Sequence, residues 1–298
     1  MTSQTIHLVG ILGAGQMGAG IAQVAVQAGY RVRLGDVSLE VAQRGKIKVG
    51  GGLAKLVDKG KLGADEAEQL AQRITPVGDA SQFAECDIII EAAAENFELK
   101  AKLLGHLSSI SRPDAILASN TSSISLTRLA AATSRPAQVV GLHFFNPAPL
   151  MKLLELVRAT QTSDETTART KAFAESLGKT VILSNDAPGF IVNRMLIPLL
   201  NEACFALQEH VATAEAIDAG AKLGLNHPMG PLELADLIGL DTVLSIADVL
   251  ARDFGDPKYR APTLLRNLVA AGWLGKKTGR GFYTYDTPGA KKAAGGAA

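Results

Sequence analysis

The chain has 298 residues, 47% hydrophobic and 20% charged, which is enough apolar material for two packed domains of roughly 150 residues each. Thirty basic residues stand against 29 acidic ones, and a formal net charge of +1 excludes a global field that would draw nucleic acid or an anionic membrane, so any bound anion must be held locally. No apolar run reaches the ~18 residues of a membrane span, and MTSQTIHLVG lacks a basic segment followed by a long apolar core and a cleavage site, so a soluble, cytoplasmic protein is expected. Cys86 and Cys204 fall in separate apolar runs with no CxxC pair or Cys/His cluster, which reads as two buried free thiols and no metal site.

Ile6 to Leu12 is a short apolar strand leading directly into Gly13-Ala14-Gly15-Gln16-Met17-Gly18, a GxGxxG match, followed by the small-residue helix AGIAQVAVQAGY. The hexapeptide alone is weak, but strand, glycine turn and helix in this order is the context that a dinucleotide's pyrophosphate requires. A second strand, Arg31 to Gly35, ends at Asp36, 23 positions after Gly13. A carboxylate there accepts hydrogen bonds from the ribose hydroxyls and repels a 2′-phosphate, which favours NAD over NADP.

Residues 38 to 72 read as helical, with five lysines around the glycines at 50 to 52. A flexible, basic protrusion is expected, either a solvated helical hairpin or a patch for an anionic ligand. Asp87 to Ala92 (DIIIEA) reads as a parallel strand covered on both faces, because its apolar run does not alternate. Glu95 and Lys100 follow at the carboxyl end, where open α/β sheets bind ligands; they are candidate cofactor contacts or an ordinary ion pair on the next helix. Ala115 to Ala118 is another strand, and the hydroxyl-rich SNTSS after it either caps a helix or presents Ser122 to substrate.

The stretch GLHFFNPAPLMKLLELV places one histidine and one glutamate at the two ends of an apolar run. Asn146, Pro147 and Pro149 read as a turn between extended segments Val139 to Phe145 and Lys152 to Val157, which brings positions 143 and 155 back towards each other. Histidine as a residue type, with a pKa of ~6.5, is a usable base near neutral pH, and a carboxylate on its far nitrogen fixes the tautomer. The plainer reading is a buried histidine bonded to backbone and a surface glutamate. A helix from about Asp164 to Leu177 and a strand from Thr180 to Leu183 complete this part.

Near residue 185 the pattern becomes helical: Gly189 to Leu207, with Pro188 in its first turn and Pro198 as a kink, then Ala214 to Leu223, Pro231 to Ile238, Asp241 to Phe254 and Thr263 to Ala271. The expected organisation is a Rossmann-type, doubly wound, mostly parallel sheet over 1–185 and an all-helical domain over 186–285. The tail 286–298 is too poor in large apolar residues to pack and is expected to be disordered.

Six ordered blocks, GAGQMGAGIAQ, SNTSSIS, GLHFFNPAPLMKLLELV, DAPGFIVNR, HPMGPLELADLIGLD and GKKTGRGFY, closely resemble the short-chain L-3-hydroxyacyl-CoA dehydrogenases, in particular their bacterial 3-hydroxybutyryl-CoA members, over almost the whole chain to Tyr285. The resemblance implies an NAD-dependent enzyme of fatty-acid metabolism acting at carbon 3 of an acyl-CoA, and a homodimer formed through the helical domain. It implies His143 as the base with Glu155 as its partner, and Ser122 and Asn193 as donors beside the substrate oxygen. Asn146, Glu95, Lys100 and Lys277 then stand near the cofactor, and Lys55 and Lys59 near the CoA phosphates. Two other readings are a β-hydroxyacid dehydrogenase that acts on a free acid through a lysine, and a non-catalytic, crystallin-like dinucleotide-binding protein. The first leaves the His143/Glu155 pair unexplained, and the second does not require it.

Overall fold

The computed structural model describes residues 5–287 and 290–293, in two compact units that divide after Phe190. The first unit runs β1 Leu8–Leu12, α1 Gln16–Gln27, β2 Arg31–Gly35, α2 Leu39–Asp58, α3 Ala64–Gln72, β3 Ile74–Val77, β4 Ile88–Glu91, α4 Phe97–Ile110, β5 Ile116–Ser119, α5 Leu126–Ala131, β6 Val139–Phe144, β7 Leu153–Arg158, α6 Asp164–Ser176 and β8 Thr180–Asn185.

Its eight strands form one sheet in the order β3-β2-β1-β4-β5-β6-β7-β8. The first six are parallel, β7 runs antiparallel to β6, and β8 is parallel to β7. The order reverses between β1 and β4, and in open α/β sheets the crevice outside the carboxyl ends at such a switch point holds the ligand.

The unalternating run of β4 has a direct cause. Ile88 and Ile90 join the core on one face with Ile11, Ile21 and Leu142, while Ile89 joins the other with Phe83, Leu104 and Leu117. Each fully buried isoleucine contributes ~1.5–3 kcal/mol relative to exposure, so covering both faces selects apolar residues at successive positions.

Two expectations in this unit change. The strand β3 follows directly on α3 and carries Pro76, which obscures it in the sequence; it is the edge of the sheet, where proline is tolerated. The helix α2 runs unbroken through the three glycines instead of forming a flexible protrusion there. The Ser38 hydroxyl accepts from Val41 N at its start, and Ala42, Gly45, Val49 and Leu53 form a buried stripe at helical spacing that outweighs glycine's low propensity.

The second unit contains α7 Val192–Gln208, α8 Ala214–Gly224, α9 Pro231–Ile238, α10 Leu240–Phe254, α11 Thr263–Ala270, and the antiparallel pair β9 Tyr283–Thr287 and β10 Ala290–Ala293. Pro198 stands inside α7, whereas Pro188 precedes it, because Gly189 and Phe190 adopt positive φ of 74° and 50° and delay the helix.

The two units divide after Phe190, a few residues beyond the expected boundary near 185. Asp186 caps α5, accepting from the Ser125 hydroxyl and from Leu126 and Thr127 N, and Phe190 packs in the first unit's core. The β9–β10 pairing also replaces the expected disorder over 286–287 and 290–293, since a ladder needs backbone groups rather than large side chains. Residues 288, 289 and 294–298 of that expectation lie outside the described residues.

Two buried carboxylates organise the second unit. Asp218 accepts from Leu232 and Glu233 N at the start of α9 and from the Tyr283 hydroxyl; Asp236 accepts from Phe282 and Tyr283 N and from the Tyr285 hydroxyl. Cys86 and Cys204 are buried free thiols, and burial pushes each up to about 12. Among the described residues no helix is long and apolar enough to cross a membrane.

Candidate active site

The turn from β1 into α1 is closed by two approaches that exclude side chains. A Cβ on Gly13, whose φ is +109°, would strike the Ala92 carbonyl, and one on Gly18 would strike the carbonyl of Gly13. The helix opens at Gly15 with no side-chain cap, so its first amides and positive dipole end are presented to an anion.

Asp36 stands beside this turn, accepting from Ala14 N at 2.6 Å and from Val37 N at 2.8 Å. Its carboxylate therefore orders the glycine turn as well as facing outward. A cavity of about 440 Å³ is bordered by Gly13, Gly15, Asp36, Val37, Leu99 and Leu103, among others. Its largely apolar wall, with a carboxylate at one side and uncapped amides at another, fits an adenosine and its pyrophosphate.

At the other side of the sheet, antiparallel register sets His143 of β6 directly opposite Glu155 of β7. Residues so paired point to the same face, and His143 Nδ1 lies 2.6 Å from Glu155 Oε2. His143 is 5% exposed and Glu155 0%, so the surface-glutamate reading is excluded. The rings of Phe145 and Phe190 lie 4.6 and 5.6 Å from the imidazole. With Nδ1 turned to the carboxylate, Nε2 is the ring nitrogen left for proton transfer.

The turn between β6 and β7 contains the cis Asn146–Pro147 bond. The Gln16 side-chain amide donates to Asn146 Oδ1 at 3.0 Å, linking this turn to the glycine loop. Lys179, 9% exposed, donates to the carbonyls of Ala148 and Met151 and holds the turn from behind. Burial pushes its ammonium below the usual lysine range.

Ser122 lies in the loop after β5. Glu95 Oε1 accepts from the Thr121 hydroxyl, from Ser122 N at 2.9 Å and from Ser123 N at 3.1 Å. Asn120 Oδ1 accepts from Phe144 N, next to His143. Lys100 is 1% exposed; its ammonium donates to both oxygens of Glu91 and to the Ala93 carbonyl, one layer behind the loop. The ion-pair alternative for Lys100 is thus realised, with Glu91 as its main partner.

Lys55 and Lys59 are exposed at the end of α2, one helical turn apart. Asn193 and Lys277 belong to the second unit: Asn193 is buried in the first turn of α7, and Lys277 donates to both oxygens of Asp241 at 2.6 and 2.7 Å. Glu91, Asn120 and Asp186 were missed in the sequence. The one available signal was Glu91 itself, a carboxylate closing a run of three isoleucines that a two-sided sheet buries.

A doubly wound sheet with an uncapped helix start and an acidic residue at the end of β2, combined with a buried histidine–glutamate pair at the same sheet, defines an NAD-dependent oxidoreductase. Residues 8–187 match the family described as 3-hydroxyacyl-CoA dehydrogenase, NAD binding domain, and residues 189–285 match 3-hydroxyacyl-CoA dehydrogenase, C-terminal domain. The chain belongs to the 3-hydroxyacyl-CoA dehydrogenase family.

Among its relatives, the probable 3-hydroxybutyryl-CoA dehydrogenase of Deinococcus radiodurans is 53% identical over 276 residues, covering 93% of this chain and 99% of the relative. The 3-hydroxybutyryl-CoA dehydrogenase of Bradyrhizobium diazoefficiens is 52% identical, covering 94% and 96%. The crystal structure of (S)-3-hydroxybutyryl-CoA dehydrogenase from Ralstonia eutropha superposes with a TM-score of 0.92 at 49% identity, over 95% of this chain and 100% of that one.

Proposed function

We propose that this chain interconverts (S)-3-hydroxybutyryl-CoA and acetoacetyl-CoA, with His143 as the proton-transfer group. The observation that carries the reading is the 2.6 Å contact between His143 Nδ1 and Glu155 Oε2 inside the sheet, and the names of the relatives at 50% identity or more supply the four-carbon substrate. Bound beside the glycine turn and Asp36, NAD would supply the hydride acceptor for carbon 3. Neutral His143 takes the hydroxyl proton on Nε2, and Glu155 stabilises the imidazolium so formed; reduction reverses both steps. Ser122 and Asn193 donate to the substrate oxygen, while Asn146 and Glu95 stand on the cofactor side. Initial rates with acetoacetyl-CoA and NADH test the assignment, with C4 to C16 acyl-CoAs and free acetoacetate as comparisons. Preference for a free acid would overturn it.

Lys55 and Lys59 serve the CoA phosphates in this reading. Replacing both by alanine is expected to raise KM for acetoacetyl-CoA and flatten its salt dependence, leaving KM for NADH unchanged. Equal changes in both constants would return the lysines to an ordinary solvated helix face.

The cytoplasmic protein works as a homodimer in this reading. The second unit exposes Met195, Val211, Leu223, Leu225 and Leu237, apolar side chains that a twofold partner would cover. Light scattering at micromolar concentration should give twice the chain mass, and a monomer there would contradict the assembly.

A further inference from the structure

The residues behind the Ser122 loop form a chain of charge whose buried end, Glu91, none of the roles above uses. Glu91, 0% exposed at the carboxyl end of β4, is fully engaged: Oε1 accepts from Lys100 Nζ at 2.8 Å and from Ala93 N at 2.7 Å, and Oε2 accepts from Lys100 Nζ at 3.0 Å and from the Ser119 hydroxyl at 2.7 Å. Lys100 reaches from α4 to meet it. The same ammonium lies 3.5 Å from Glu95 Oε2, and the other oxygen of Glu95 gathers Thr121, Ser122 and Ser123. A single cation therefore stands between a buried carboxylate fixed to β4 and β5 and a half-exposed one that holds the loop.

We propose that the buried Glu91–Lys100 pair is a positioning device for the reaction, fixing Glu95 and through it the loop that presents Ser122. In this proposal Glu91 and Lys100 act through Glu95, whatever further contact Lys100 makes with the cofactor. A buried ion pair is a weak source of net stability, since uncharged residues of similar volume often replace one at little cost, so its retention here calls for another role. Geometry supplies it. Glu95 receives four donors on one oxygen, and Lys100 faces the other across 3.5 Å, so the position of that ammonium bears on the carboxylate and the loop together. A shift of about 1 Å in a positioning contact is enough to cost ~10²-fold in rate.

The inference rests on the reading of Ser122 as a substrate contact, and its test keeps the two apart. Hydrogen exchange on the cofactor-free full chain reads the anchor, whereas Ser122→Ala kinetics read the contact. In Glu91→Gln and in the charge-free pair Glu91→Gln/Lys100→Met, the amides of Ser122 and Ser123 should exchange at least ~10-fold faster while β4 and β5 keep their protection, and kcat should fall roughly 10- to 100-fold. The paired variant, which leaves no unmatched charge, should recover melting temperature without recovering kcat. Recovery of kcat along with stability, or wild-type protection of the loop, would overturn the proposal. Glu95→Gln, at a side chain 40% exposed, provides a variant less exposed to folding failure; wild-type exchange at Ser122 and Ser123 in that protein would overturn it equally.

Discussion

His143→Ala should lower kcat for acetoacetyl-CoA reduction by ~10²–10⁴-fold, the range for a placed acid–base group, with little change in KM for NADH. The imidazole is the only titratable side chain in β6; Glu155 holds its Nδ1, and Phe145 and Phe190 pack against the ring. Neither phenyl ring can substitute for it. The fold should survive, because β6 keeps its ladder to β5 and β7 through backbone groups that the substitution does not touch. Circular dichroism and the melting temperature separate the two effects. A rate within a few-fold of the parent would remove His143 from the chemistry.

The second large effect is expected at Asp36. If Asp36 accepts from the ribose hydroxyls, Asp36→Ala removes that acceptor and the charge that repels a 2′-phosphate, along with the carboxylate bonds to Ala14 N and Val37 N that order the turn. Hydrogen bonds to charged groups are worth about 1.5–3 kcal/mol, so NADH affinity should fall by roughly 10- to 150-fold and the preference over NADPH should narrow. Fluorescence titration with both cofactors measures this. Unchanged NADH affinity would assign Asp36 to loop structure alone.

The legible parts of the fold were those written in local sequence chemistry. The strand–glycine–helix order located β1 and α1, the unalternating isoleucines located β4, and the Asn-Pro-x-Pro turn brought two distant positions face to face, as the register His143↔Glu155 confirms. What escaped was set by tertiary packing. A three-glycine run among lysines suggested a flexible protrusion, yet the buried stripe at 42, 45, 49 and 53 carries α2 through. Lys100 was readable as a cofactor contact or an ion pair on the next helix, but its burial against Glu91 depends on how α4 packs beside β4. Asp186 could not be tied to α5 from sequence, because 60 residues separate it from Leu126. Side-chain anchors of this kind leave no periodic trace.

The central claim is that His143 and Glu155 act as one proton-transfer unit, and the kcat of Glu155→Gln tests it most directly. Glutamine keeps the shape and can still accept a hydrogen bond from Nδ1–H, but it removes the negative charge that lies 2.6 Å from the ring nitrogen and stabilises the imidazolium. The account predicts a loss in kcat of at least ~10-fold with smaller changes in KM, and little further loss when the change is added to His143→Ala, since residues acting as a unit are not additive. A Glu155→Gln enzyme with kcat within a factor of about two of the parent would contradict it, leaving Glu155 a buried structural carboxylate and another group to orient the base.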